Sequence, residues 1–220
     1  MTNDTRQNEL LLINKPSGPT SHDIVDRVRK QTGIKRVGHA GTLDPFATGL
    51  LIILVGREQT KRQSEFLTMD KTYEAVIKIG GTSTTDDCTG EITSNPPESP
   101  ITPTLIQKTL QSFIGTFDQM PPNFSAKKIK GKKAYELARE GIQPDLKPKQ
   151  ITIYSIEFIS YSWPLLTIRC SVSSGTYIRA LARDIGKALG GGAYCEKLMR
   201  TSIGPYNLSD ASLLDELNSL

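Results

Sequence analysis

Seven consecutive residues from Gly49 to Val55, GLLIILV, form an uninterrupted apolar run. The run is short for a helix and rich in aliphatic side chains, so it predicts a β-strand. Because successive side chains of a strand point to opposite faces, the pattern also predicts that both faces of this strand are buried. The chain must therefore build a sheet that is covered on both sides at this strand.

The other periodic segments predict the fold class. From Lys71 to Gly80 apolar and polar residues alternate, which is typical of a strand buried mainly on one side. Further strands are predicted at Leu10–Ile13, Lys149–Ser160, Leu165–Val172 and around Leu198, and helices from Thr20 or Ser21 to Gly33, through Leu105, Leu110 and Ile114, at Ala134–Glu140, from Thr176 to Gly190 and after Ser209. The polar stretch Thr82–Pro103 predicts a long loop. Because the elements do not follow a βαβ order, they favour an α+β fold with a mainly antiparallel sheet.

Composition narrows the classes of function. The 220 residues include three widely spaced cysteines and two histidines, so neither a CxxC metal clamp nor a three-histidine zinc site is available. Every apolar run is shorter than the roughly 18 residues of a membrane span, and the first residues lack a signal-peptide pattern. We expect a cytoplasmic protein without a metal or a membrane partner, whose chemistry relies on carboxylates, lysines, arginines or tyrosines.

The charge pattern is compatible with a polyanionic partner. The formal net charge is +4 and the isoelectric point is near 8.9. The densest basic stretch is SAKKIKGKK, Ser125 to Lys133, and a second basic group lies between Arg27 and Arg36. Either cluster could be a solvated face or an RNA contact, and charge alone does not separate these interpretations.

The stretch GHAGTLDPFATGLL, Gly38 to Leu51, carries the most informative carboxylate. Pro45 biases Asp44 away from helical backbone angles, so this side chain is predicted to lie in a loop that leads into the apolar strand. An Asp-Pro pair can also be a turn that only shapes the loop. On the residues alone, a catalytic and a structural role for Asp44 both remain open.

Five ordered segments resemble the motifs of TruB-type tRNA pseudouridine synthases. Besides GHAGTLDPFATGLL, which resembles the catalytic signature of the family, they are NKPSGPTS, KTYEA, QMPPNFSAKKIKGKKAYELAREG and CSVSSGTYIRALARDIG. The segments occur in family order and span residues 10 to 205. The resemblance implies the pseudouridine synthase fold and isomerisation of uridine 55 in the T arm of tRNA.

The resemblance implies that Asp44 is the nucleophile. Uridine must lose its N-glycosidic bond, rotate and rejoin through carbon, which suits a carboxylate that bonds reversibly either to the sugar or to the uracil ring. The target uridine is stacked in the folded arm, so it must be flipped out. No cofactor is implied, because the isomerisation consumes neither redox equivalents nor phosphate energy.

The resemblance assigns three further residues to the target base and the nucleophile. It implies that Tyr73 stacks on uracil and takes part in proton transfer, although the alternation around Tyr73 equally fits a core tyrosine. Tyr177 and Arg179 are implied to lie beside Asp44, where the guanidinium would keep the carboxylate ionised. An exposed helix arginine is the plain alternative for Arg179.

Three more residues are implied to contact the substrate or to shape its site. His39 would fill or brace the gap left by the flipped base, and Leu198 would make an apolar contact with that base. Lys15 would lie near the active site as a structural or phosphate contact. The ordinary alternatives are a loop histidine for His39 and a core leucine for Leu198.

The resemblance also implies the domain organisation. We expect one catalytic domain over residues 1–220, with a mobile RNA-clamping segment around residues 119–148 in which Lys127, Lys128 and Lys130 bind phosphates. We expect no C-terminal RNA-binding (PUA-like) module within this sequence. With no heptad pattern or apolar stripe, a monomer is expected.

Two other functions remain as hypotheses from the sequence. One is an RNA-binding protein or tRNA chaperone with the same fold and no catalysis. The other is a carboxylate-dependent hydrolase, which needs a second carboxylate or a metal, and Asp86 and Asp87 are the available pair.

Overall fold

The computed structural model describes residues 8–125, 128–129, 132–133, 142 and 145–213. The strands are β1 (Glu9–Lys15), β2 (Val37–Ala40), β3 (Thr48–Val55), β4 (Lys71–Ile79), β5 (Gly81–Ser83), β6 (Ile92–Ser94), β7 (Gly115–Gln119), β8 (Lys128–Ile129), β9 (Lys132–Lys133), β10 (Lys149–Ser162), β11 (Leu165–Val172), β12 (Ala193–Ile203), β13 (Tyr206–Asn207) and β14 (Ser212–Leu213). The helices are α1 (Ser21–Thr32), α2 (Arg57–Lys61), α3 (Gln63–Thr68), α4 (Pro103–Gln111) and α5 (Ile178–Ala188), and a short 3-10 helix spans Leu208–Asp210.

The chain divides into two compact units. The first unit comprises residues 1–74 and 198–220, and the second comprises residues 75–197. Both boundaries fall inside strands, in β4 and in β12. The expectation of a single catalytic domain over residues 1–220 stays a prediction.

In the first unit the strand order is β14-β1-β3-β12-β4, with β2 also paired to β3 and β13 to β12. The β1/β3, β2/β3 and β12/β13 pairs are antiparallel, whereas β1/β14 and β12/β3 are parallel. In the second unit the order is β12-β4-β11-β10-β7, and β5–β6 and β8–β9 form separate hairpins. The β10/β11, β10/β7, β5/β6 and β8/β9 pairs are also antiparallel, so antiparallel pairs predominate among the described strands, as predicted.

Strand β3 forms the centre of the core in the first unit. Leu51, Ile53 and Val55 lie in one apolar cluster with the buried face of α1. Leu50, Ile52 and Leu54 lie in a second cluster that contains Phe66 and Ile203. Each face of the strand thus packs against a different cluster, which confirms the prediction made from the uninterrupted apolar run.

Helix α1 begins and ends where its capping residues predict. The Thr20 hydroxyl accepts a hydrogen bond from Asp23 N, while the Asp23 carboxylate accepts one from Thr20 N. This reciprocal pair satisfies two donors that the first turn would otherwise leave exposed. Gly33 ends the helix in the left-handed conformation, with φ of 71°.

Some predictions of elements were wrong. The stretch predicted as a loop overlaps β5 and contains β6. In place of the helix predicted after Ser209, the described residues up to 213 form the end of the 3-10 helix and β14, and residues 214–220 lie outside the described residues. Strands β2 and β7 were not predicted because each is short, at four and five residues. The predicted helix at 134–140 lies outside the described residues, as does most of the segment between 126 and 144.

In the ranges that the structure describes, no helix is both long enough and apolar enough to cross a membrane.

Candidate active site

Asp44 lies in the loop that connects β2 to β3, as predicted from its position before Pro45. Its side chain is half-buried, between the buried residues Leu43 and Ala47. Ala47 N donates a hydrogen bond to the Asp44 carbonyl at 3.1 Å, which closes a tight turn. A carboxylate that is partly desolvated on a closed turn is well placed to meet a substrate in one orientation.

Lys15 anchors this turn from the end of β1. Its side chain is fully buried, and the ammonium donates to the carbonyls of Pro16 and Pro19, both at 2.8 Å, and of Pro45 at 3.3 Å. Gly18 N also donates to the Pro45 carbonyl, at 2.8 Å. The loop is therefore tied to β1 at the residue that follows Asp44.

Burial of Lys15 lowers the pKa of its ammonium from 10.5 to about 8. Desolvation is the largest cause, because a charged amine loses its hydration in the core. The negative charge of Asp44 opposes this shift, while the positive charge of Arg200 adds to it. Lys15 thus lies within electrostatic reach of the Asp44 carboxylate, and its predicted position near the active site stays a prediction.

Ser21 holds the residue that precedes Asp44. Leu43 N donates to the Ser21 hydroxyl at 2.8 Å, and the hydroxyl donates to the Leu43 carbonyl at 3.1 Å. Both groups are buried, so leaving either one without a hydrogen-bond partner would lower the free energy of unfolding by about 1–3 kcal/mol. This pair fixes the loop to the first turn of α1.

Arg200, in β12, holds both ends of the same loop. Its guanidinium donates to the carbonyls of Leu50 at 2.8 Å, Gly41 at 3.0 Å and Thr42 at 3.5 Å. The residue is 1% exposed. The sequence analysis did not identify Arg200, although an arginine inside the apolar pattern of a predicted strand was the available signal.

His39 lies in β2, five residues before Asp44. The carbonyl of His39 accepts a hydrogen bond from Gln63 Nε2 at 2.7 Å. In the described part of the chain the buried Nδ1 has no hydrogen-bond partner. Burial, followed by the positive charges of Arg200 and His22, lowers the pKa of the imidazole from its ordinary value, so the neutral ring is favoured.

Tyr73 and Leu198 are buried in the first unit, on strands β4 and β12. Tyr73 is 8% exposed and Leu198 7%. The Leu198 carbonyl accepts a hydrogen bond from the Thr48 hydroxyl at 3.4 Å, at the end of the Asp44 loop. Their predicted roles beside the flipped base stay predictions, and burial of this degree fits both those roles and core packing.

Arg179 lies in the second unit, in the first turn of α5, and is buried. Its Nη1 is 3.2 Å from Asp87 Oδ2 and 2.7 Å from the Thr85 carbonyl, and Nη2 donates to the Phe124 carbonyl at 3.0 Å. The exposed-arginine alternative is therefore wrong. The predicted position beside Asp44 joins residues of different units and stays a prediction.

Tyr177 is positioned by Gln119, a buried residue that the sequence did not single out. Tyr177 N donates to Gln119 Oε1 at 2.9 Å, and Gln119 Nε2 donates to the Tyr177 carbonyl at 3.0 Å. The side-chain amide of Gln119 thus satisfies both the backbone N–H and the backbone carbonyl of Tyr177, the residue before α5. The Tyr177 ring is half-exposed, which leaves its predicted role near the nucleophile as a prediction.

The acidic pair considered for hydrolysis is engaged by arginines. Asp87 pairs with Arg179, and its Oδ1 accepts from Thr89 N at 2.9 Å. Asp86 accepts from Arg183 Nη1 at 2.9 Å, although burial raises the pKa of its carboxyl. Among the described residues, no group of three or more potential ligands is arranged to hold a metal ion.

The predicted RNA-clamping lysines are beyond what the structure describes. Lys127 and Lys130 lie outside the described residues, and only the backbone of Lys128, in β8, is described. Their phosphate-binding role stays a prediction.

The contacts that fix the Asp44 loop all lie in the first unit. The half-buried Asp44 lies on a turn that is fixed by Lys15, Ser21 and Arg200, and two of these are buried cations. The model of the TruB family pseudouridylate synthase N-terminal domain matches residues 29–178, and the chain belongs to this family.

Comparison with individual proteins shows which members of the family this chain is similar to. The chain is 47% identical over 203 residues to tRNA pseudouridine synthase B of Protochlamydia amoebophila, covering 91% of this chain and 76% of the relative. It is 45% identical over 216 residues to tRNA pseudouridine synthase B of Parabacteroides distasonis, covering 96% and 92%. The similarity thus extends over most of both proteins.

Solved structures share the fold. A chain of a Cbf5-Nop10-Gar1 complex superposes with a TM-score of 0.76 at 26% identity, over 97% of this chain. A chain of an H/ACA RNP bound to a substrate RNA containing 2'-deoxyuridine gives a TM-score of 0.72 at 25% identity. This protein spans about half of each, 54% and 53%. The predicted α+β pseudouridine synthase fold is confirmed.

Proposed function

We propose that this chain is a tRNA pseudouridine synthase that isomerises uridine 55 in the T arm of tRNA. The observation that carries the proposal is the 45% identity to a tRNA pseudouridine synthase B over 96% of this chain and 92% of the relative. A match of that extent leaves little of either protein outside the comparison. We further propose that the enzyme acts in the cytoplasm, where tRNA is processed, and as a monomer.

In the proposed reaction Asp44 is the nucleophile. The bond between N1 of uracil and C1' of ribose breaks, the base rotates, a bond forms between C5 and C1', and C5 loses its proton while N1 gains one. No electrons are gained or lost, so the reaction needs no cofactor. A turn fixed on both sides of Asp44 supports this role, because a nucleophile held in one orientation avoids the entropy cost of finding it.

The remaining predicted residues form the proposed substrate site. Tyr73 would stack on the flipped uracil and assist proton transfer, Leu198 would contact the base, and His39 would fill the vacated stack. The lowered pKa of His39 supports a neutral ring, which stacks among bases without the cost of burying a charge. We propose that Tyr177 and Arg179 complete the site, and that Lys127, Lys128 and Lys130 bind phosphates of the arm.

The test measures release of tritium from C5 of uracil in an unmodified tRNA transcript, with EDTA present. We expect wild type to release tritium and Asp44→Asn to release none, because the amide is not a nucleophile for this step. Asp210→Asn is the matched control, since it removes one exposed carboxylate of the same unit, and it should retain wild-type rates. The modified position is then mapped in the product.

Two outcomes would count against the proposal. Binding of the transcript by wild type without release would favour the RNA-binding or chaperone hypothesis. Release by Asp44→Asn at the wild-type rate would remove Asp44 as the nucleophile.

A further inference from the structure

Arg200 is a buried cation whose hydrogen bonds go to main-chain carbonyls. Burying a guanidinium is costly unless its donors are satisfied, and here three carbonyls accept from it, at 2.8, 3.0 and 3.5 Å. A hydrogen bond from a guanidinium to a neutral carbonyl is weaker than one to a carboxylate. An arginine in this setting is therefore a costly way to stabilise a core, which suggests a more specific role.

The accepting carbonyls bracket the nucleophile loop. Gly41 and Thr42 precede Asp44 by three and two residues, and Leu50 follows it in β3. One rigid, planar group thus spans the entry and the exit of the loop. A lysine ammonium can keep the charge but cannot reproduce a planar fork that reaches both sides.

The backbone of Arg200 contributes separately from its side chain. Arg200 pairs with Gly49 in the parallel β12/β3 ladder, and Gly49 has φ of 100°. A Cβ atom at Gly49 would lie 2.3 Å from the Arg200 carbonyl oxygen. The two strands thus approach closely through backbone atoms, so the guanidinium is not what pairs them.

We propose that Arg200 is a positioning residue for pseudouridine formation, which holds the Asp44 loop in one conformation through the carbonyls of Gly41, Thr42 and Leu50. The inference rests on the proposed function for its catalytic consequence. Its structural consequence, order in residues 41–47, can be measured independently of any activity.

The experiment compares wild type with Arg200→Lys. We expect kcat for tritium release to fall by about a hundredfold, the scale of a misplaced reacting group, while the Kd for tRNA changes by less than about threefold. Hydrogen exchange of the amides in residues 41–47 should become faster, with α4 and β10 unchanged. Arg169→Lys is the matched control, a strand arginine that is exposed and bonds to Glu157, and it should alter none of these quantities.

Three outcomes would overturn the proposal. Unchanged loop exchange in a folded Arg200→Lys protein would remove the positioning role, and so would faster exchange with an unchanged kcat. A variant that does not fold would assign Arg200 to general stability. If wild type releases no tritium, the proposed function fails, whereas the exchange measurement still decides whether Arg200 orders the loop.

Discussion

The two units bury cations in different ways. In the first unit Lys15 and Arg200 donate to backbone carbonyls around Asp44. In the second unit Arg179 pairs with the buried carboxylate of Asp87 and with two carbonyls. In an ion pair the carboxylate cancels most of the positive potential of the cation. A cation that is bound only by neutral carbonyls keeps its net charge, so nearby groups experience its positive potential. The loop of the first unit thus combines rigidity with a positive potential that reaches Asp44.

The largest expected effect comes from removing one cation from each unit. Arg179→Met leaves the Asp87 carboxylate buried without its ion-pair partner, which should lower the free energy of unfolding by about 3–5 kcal/mol. Lys15→Met leaves only neutral carbonyls without a donor, and it also removes the cost of desolvating the ammonium. We therefore expect the free energy of unfolding to fall by only about 1–2 kcal/mol. Urea unfolding near neutral pH measures both.

Adding Asp87→Asn to Arg179→Met should recover part of the lost stability, because the second substitution removes the buried charge. Equal losses for the two single variants would show that the units do not differ in the way described.

A second effect is the pH dependence that Lys15 gives to stability. The pKa of Lys15 is about 8 in the folded protein and 10.5 in its ordinary state. Between these values the unfolded chain holds a proton that the folded chain has released, so this group makes the free energy of unfolding rise with pH. As the pH rises through this range, the free energy of unfolding of wild type should therefore increase by up to about 3 kcal/mol relative to that of Lys15→Met.

Urea unfolding of both proteins below pH 8 and above pH 10 checks this, with Lys30→Met, which removes an exposed ammonium, as the control. A constant difference between wild type and Lys15→Met would contradict the lowered pKa.

The smallest expected effect tests the close approach of β3 to Arg200. Gly49→Ala combines a left-handed backbone with a collision against the Arg200 backbone, and should cost about 2–3 kcal/mol. Gly33→Ala has φ of 71° but no neighbouring atom within 4 Å, so it should cost about 1 kcal/mol. Thermal unfolding compares the two variants, and similar losses would show that the contact with Arg200 is unimportant.

Local signals allowed several features to be predicted from the sequence. Thr20 and Gly33 marked the ends of α1, the alternation in β4 marked its buried face, and Pro45 placed Asp44 in a loop. Each signal depends on residues a few positions apart, and each requires no knowledge of the rest of the chain. The family resemblance similarly rested on ordered local motifs.

The sequence by itself thus determined the fold class, the family and the position of Asp44 on a turn before an apolar strand. Only the tertiary structure decided what holds that turn and what neutralises Arg179. Arg200 and Leu50 are 150 residues apart, and Gln119 and Tyr177 are 58 apart. A buried polar side chain must find its partner wherever the fold brings a donor or acceptor, and no periodicity in the sequence encodes that partner.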